Sequence, residues 1–133
     1  MVTDLVYHEM FIKHEMSMGH PENPNRIRSA MKYIENSGLF HDTRLNLLTP
    51  NFADVNEIYD IHDKSYLDGI CDKSRQGGGF YTLDTSVNAY TYDTALLAAG
   101  GGIETVDRIM QGKVDNSFVL CRPPGHHDEY ERA

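Results

Sequence analysis

Ser117-Phe118-Val119-Leu120-Cys121 (SFVLC) runs directly into Arg122-Pro123-Pro124-Gly125-His126-His127 (RPPGHH). SFVLC is a short, continuous apolar run with turn signals on both sides. That is the pattern of a strand buried on both faces of a parallel sheet. In open α/β sheets, ligands bind beyond the carboxyl ends of the strands. The RPPGHH segment therefore belongs at the ligand-binding end. Pro123 and Pro124 fix their φ angles near −65° and remove two backbone donors. Gly125 permits a sharp bend. His126 and His127 then sit on a stiffened support, the preorganisation that acid–base chemistry needs. Histidine titrates near neutral pH, so neighbours can set one ring as base and the other as acid. The plain alternative is a surface pair with no role. Shared zinc binding is disfavoured, because adjacent side chains on extended backbone point to opposite sides.

Working outward, the segment before SFVLC is the most regular in the chain. Leu96, Ala99, Ile103, Val106 and Ile109 hold helical spacing, predicting a helix over residues 91–111 that Gly112 stops. Gly100, Gly101 and Gly102 lie inside it and would cost roughly 1 kcal/mol each relative to alanine. Their position in mid-helix fits close approach to a neighbouring element and does not fit a phosphate cradle, which lies between a strand and a helix N-terminus. Residues 80–88 read as an irregular loop. Helices are expected from Lys64, broken by QGGGF, and from Val55 to Ile61, capped by Asp54. Strands are expected at residues 45–48 and 4–7. Ile27, Ala30, Met31, Ile34 and Leu39 predict a helix near 25–37 that ends at Gly38. The polar stretch between residues 8 and 24 carries Pro21 and Pro24 and is not helical throughout. The order β, loop, α, β, α, α, loop, α, β predicts an open α/β sheet of few parallel strands with helices on both faces.

Composition narrows the partners. The 133 residues make one domain, with 40% hydrophobic and 24% charged residues and a net charge of −8. An acidic surface repels phosphates, so nucleic acid is not an expected partner. No apolar run of about 18 residues exists, so a membrane partner is not expected either. Cys71 and Cys121 do not make a disulfide framework and are expected to be reduced and partly buried, which fits a cytoplasmic protein.

The motifs point further. RPPGHH, the upstream GHPENPNRI (residues 19–27), IHDKSYL (61–67) and GGGFYTLDTSVNAYTYDTALLAAGG (77–101) resemble the histone deacetylase superfamily. The similarity is to its bacterial and archaeal branch of acetoin-utilisation proteins and acetylpolyamine amidohydrolases. The resemblance implies the N-terminal portion of an arginase/deacetylase-like fold. It implies hydrolysis of acetyl-amides of lysine, polyamines or similar amines, with a zinc-bound water as nucleophile. Carried over, His126 and His127 are the acid–base pair. Asp84 is the rim aspartate that holds the substrate backbone, and Arg26 lines an internal channel below the pocket. His20 and Pro21 belong to the loop that shapes that pocket. Asp84 also reads as a turn residue, and Arg26 as an ordinary first-turn helix residue. His62 reads as structural, and His8, His14 and His41 have no assigned role.

The resemblance also implies what lies outside the chain. In the family, the zinc ligands (an Asp-x-His pair and a later aspartate) and the catalytic tyrosine follow the histidine motif. Residues 1–133 therefore read as a single incomplete domain lacking the metal-ligand half. No metal site and no bound zinc are expected in this chain alone. The expected partners are an acetylated amine or acetyl-lysine substrate, and either a second copy or a separate C-terminal half. The alternatives are a non-catalytic remnant or interaction module of the same fold and, more weakly, a histidine metal-binding protein.

Overall fold

The computed structural model describes residues 1–132. Strand β1 (Thr3–Val6) leads through a short 3-10 turn (Glu9–Ile12) and a long loop into helix α1 (Asn25–Asn36). Strand β2 (Leu45–Leu48) is followed by helices α2 (Val55–Tyr59) and α3 (Lys64–Arg75). A hairpin of β3 (Gly78–Phe80) and β4 (Ser86–Asn88) precedes helix α4 (Thr91–Met110) and strand β5 (Asn116–Val119). Each expected strand and long helix is present, with ends that differ by a residue or two, but β5 is not buried on both faces as expected: it lies at the edge of the sheet and Phe118 is exposed. Leu39 falls outside α1, because Gly38 takes φ +76° and turns the chain into a second 3-10 turn.

Three strands form one parallel sheet in the order β2-β1-β5. Leu5 pairs with both Leu47 and Phe118, and Val6 with Leu48 and Val119. Asp4 and Val6 point toward α4. Arg108 of α4 donates to the Asp4 carboxylate at 2.5 Å, and Asn46 donates to it at 3.0 Å. Leu5 points the other way and is also buried, so β1 is covered on both faces.

The mid-helix glycines do what close approach requires. A Cβ on Gly100 would lie 2.0 Å from the Asn51 carbonyl oxygen. The chain after β2 docks there, with Ala53 N–H donating to the Leu96 carbonyl at 3.0 Å. A Cβ on Gly101 would meet side chains only, Val6 at 3.1 Å, Pro50 at 3.3 Å and Val119 at 3.6 Å, whereas Gly102 faces open space.

The expectation of an irregular loop over residues 80–88 is corrected. Phe80 closes β3 and Ser86–Asn88 form β4, paired antiparallel with Gly79 opposite Val87. A strand of two glycines and one phenylalanine carries no alternation to read. Gly78, at φ +111°, lies so close to Val87 that a Cβ would be 2.2 Å from its carbonyl oxygen. Backbone approach, rather than side-chain pattern, makes this hairpin.

Because β1 and β5 are parallel neighbours, their carboxyl ends lie together. The loop after β1 and the RPPGHH segment after β5 are thus delivered to the same end of the sheet.

Candidate active site

At that end lies a cavity of about 210 Å³. The early loop supplies His14, Met16, His20 and Glu22 to its wall, and α3 supplies Tyr66 and Ile70. The hairpin contributes Tyr81 and Asp84–Val87, α4 contributes Thr91 and Ala95, and the last wall is Pro123–Asp128.

His126 and His127 stand on a tight turn. Gly125 adopts φ +64°, and Asp128 N–H donates back to the Gly125 carbonyl at 3.1 Å. The two rings face each other with centroids 4.1 Å apart and planes inclined at 47°. The expectation of rings on opposite sides assumed extended backbone, and the turn overrides it. Both histidines are exposed. Packing raises the neighbouring Asp128 carboxyl above its usual range, partly offset by His62, His126 and His127. The residues after the pair are fastened to the α2–α3 junction. His62 donates through Nδ1 to the Glu129 carbonyl at 2.8 Å, and Asp63 N–H donates to the Tyr130 carbonyl at 2.8 Å. His62 is structural, as expected.

His20 and Asp84, both expected at the pocket, meet across it. His20 Nδ1 accepts from the Glu22 N–H at 3.0 Å, which leaves Nε2 to donate to Asp84 Oδ1 at 2.7 Å. That hydrogen bond raises the His20 pKa. Pro21 is exposed and does not line the cavity. Arg26 also stands outside the lining. Its side chain is 60% exposed and lies 3.5 Å from Glu22. In the first turn of α1 it reaches toward Glu22 and solvent.

The buried cation of the site is Arg122, which sequence reading treated only as the lead-in to the prolines. It is 1% exposed. Nε and Nη2 grip the Glu22 carboxylate at 2.5 and 2.7 Å, and Nη1 donates to the carbonyls of Phe11 and His14 at 3.2 and 2.7 Å. Burial pushes the Glu22 carboxyl up, but the hydrogen bonds and charge of Arg122, with the charge of Arg26, bring it below its usual value. His14 is the other residue the sequence left unassigned. It is 2% exposed, and Nδ1 lies 2.8 Å from Thr91 Oγ1. The Thr91 hydroxyl donates to Asn88 Oδ1 at 3.1 Å, so His14 Nδ1 is the donor to Thr91. Burial, reinforced by Arg122, lowers its pKa to about 4, so this imidazole is neutral. An arginine between an apolar strand and two prolines was the available signal; its partner Glu22 is one of three glutamates in the early loop, with Glu9 and Glu15. A buried histidine gives none.

Among the described residues, no three His, Cys, Asp or Glu side chains converge as a metal site would require. Cys71 and Cys121 are free and half-buried, and no described helix is long and apolar enough to cross a membrane.

Residues 20–133 match the histone deacetylase domain model. A probable deacetylase of Archaeoglobus fulgidus is 36% identical over 127 residues, covering 96% of this chain and 35% of that protein. A histone deacetylase-like amidohydrolase of Pseudomonas aeruginosa is 34% identical over 109 residues, 82% of this chain and 28% of its own. The crystal structure of the HDA15 HD domain superposes with a TM-score of 0.91 at 29% identity, over 99% of this chain and 38% of that one. The chain thus spans well under half the length of each.

Proposed function

The chain belongs to the histone deacetylase domain family, and from that premise we propose that it is the tandem-histidine part of a zinc-dependent deacetylase. The substrates are acetyl-amides of lysine, polyamines or similar amines. His126 and His127 form the acid–base pair, and Asp84 receives the substrate at the cavity mouth. The observation that carries this reading is the facing histidine pair, 4.1 Å apart, on a turn that opens into a cavity shared with Asp84 and His20. Exposed imidazoles on a stiff support can take a proton from a nucleophile and return one to a leaving amine. Tyr66 and Tyr81 add aromatic wall to enclose an alkyl chain.

Zinc enters on the family resemblance alone. The described residues do not assemble a ligand set for it, so in this proposal the metal is held by polypeptide of the family fold outside this chain. The free cysteines are compatible with the cytoplasmic location proposed here.

The same reasoning names a partner. β5 ends the sheet with its outer edge unpaired among the described residues. Phe118 is 60% exposed, and Leu47, in the same row across Leu5, is 54% exposed. A bare edge beside apolar surface is a template for further polypeptide. The proposed occupant is the remainder of the family fold, because the matched proteins extend well beyond the region covered here.

A chimera tests the reading. Residues 1–133 would replace the matching segment of the Archaeoglobus fulgidus relative, with assembly checked by gel filtration. Zinc-dependent release of acetate from acetyl-lysine peptides or acetylpolyamines supports it. A folded, zinc-loaded chimera without turnover would favour a non-catalytic interaction module.

A further inference from the structure

A continuous chain of hydrogen bonds crosses the cavity wall. Asp84 accepts from His20 Nε2, and His20 Nδ1 accepts from the Glu22 backbone N–H. The Glu22 side chain accepts both arms of Arg122, and Arg122 is the residue from which the proline turn departs. Glu22 is the junction, since its backbone holds His20 and its carboxylate holds Arg122. The two residues are 100 positions apart in sequence.

We propose that Arg122 is a positioning residue. Clamped on Glu22 and on the carbonyls of Phe11 and His14, it sets where the 123–128 turn stands against the early loop. It thereby sets how His126 and His127 face the cavity.

Three features support this. Arg122 is the one buried Lys or Arg among the described residues. A buried ion pair contributes little net stability compared with apolar side chains of the same volume, so retention of the charge fits a role in fixing geometry. The fork of the guanidinium reaches four acceptors at once, both Glu22 carboxylate oxygens and the Phe11 and His14 carbonyls, whereas an ammonium has three N–H donors and no planar fork. Finally, Pro123 and Pro124 remove two soft torsions between the clamp and the histidines, so the position of the Arg122 backbone is passed on with little slack. The functional meaning rests on the proposed role of His126 and His127, whereas the test reads geometry alone.

The experiment uses the 133-residue chain labelled for NMR, with R122K, E22Q and the double variant. The ring-to-ring nuclear Overhauser effect between His126 and His127 reports the turn, and amide exchange over residues 8–24 reports the early loop. R122K is expected to weaken the ring contact, shift both imidazole signals and speed early-loop exchange at least tenfold. Amides of β1, β2 and α4 should keep their protection. E22Q, which keeps an acceptor and loses the charge, should produce a smaller change of the same pattern. The double variant should be no worse than R122K, because both remove one clamp. Unchanged ring signals in R122K and E22Q would overturn the proposal. So would a uniform loss of protection across β1, β2 and α4, which marks a merely structural residue. If R122K fails to fold, E22Q decides by the same criteria. In the chimera, loss of turnover without these ring changes would count against positioning and leave the acid–base reading standing.

Discussion

His20 and Asp84 close the cavity from opposite sides, with Nε2 2.7 Å from Oδ1. His20 belongs to the loop after β1, and Asp84 to the tip of the β3–β4 hairpin. The Asp84 side chain is 89% exposed, yet it is already engaged by a side chain that is only 15% exposed. A substrate that uses Asp84 must share it with His20.

The clasp has a pH signature. The hydrogen bond to Asp84 raises the His20 pKa in the folded protein. A raised histidine pKa stabilises the fold fully below the unfolded value near 6.5, and that contribution is lost as pH rises through the folded value. The Asp84→Asn variant should bring the His20 titration back down, as read from its ring signals. A His20 midpoint that stays put in this variant would show that Asp84 is not the cause.

His14 works with the opposite sign. Burial, then the charge of Arg122, lowers its pKa from 6.5 to about 4. Between those values the unfolded chain binds a proton that the folded chain refuses. Stability should therefore be full above pH 6.5 and fall as pH drops toward 4, by on the order of 3 kcal/mol. His14→Gln should flatten this part of the urea-denaturation profile, whatever it costs at neutral pH. A slope unchanged in the variant would rule His14 out as its source.

Gly100 and Gly102 make a matched pair for testing the helix contact. Gly100→Ala places a methyl 2.0 Å from the Asn51 carbonyl, and the backbone there is hydrogen-bonded to α4 and cannot retreat freely. A loss of about 3 kcal/mol or more is expected. Gly102→Ala meets open space and should gain up to about 1 kcal/mol from helix propensity. Chemical denaturation of both variants checks the contrast, and equal effects would refute the packing argument.

The edge of β5, unpaired among the described residues, predicts association. The isolated chain should show concentration-dependent self-association by light scattering, and Phe118→Glu should reduce it without changing the circular dichroism. A monodisperse monomer at high concentration would remove the case for this face as a docking surface.

The parallel sheet was legible because SFVLC and the other short apolar runs alternate with helical periods, and α4 was legible despite its glycines. The β3–β4 hairpin was not, since glycine backbones carry no side-chain pattern. The RPPGHH and GHPENPNRI motifs located the cavity wall, and His126, His127, His20 and Asp84 all reach it. Arg26 and Pro21 do not. Arg26 takes its direction from the first turn of α1 and Pro21 from the bend before it, and a linear motif encodes neither direction. Arg122, Glu22 and His14 were missed as site residues because their partners come from the loop after β1, the turn after β5 and the start of α4. Only the packed chain brings these together.

The central claim is that His126 and His127 move protons and that zinc is held elsewhere. The most direct measurement is zinc content and turnover, taken together, on the deacetylase chimera and its His126→Ala and His127→Ala variants. Turnover is expected to fall by roughly two or more orders of magnitude while bound zinc stays at the parent's stoichiometry. Loss of zinc along with turnover would make the histidines metal ligands, and turnover within a few-fold of the parent would remove them from the chemistry.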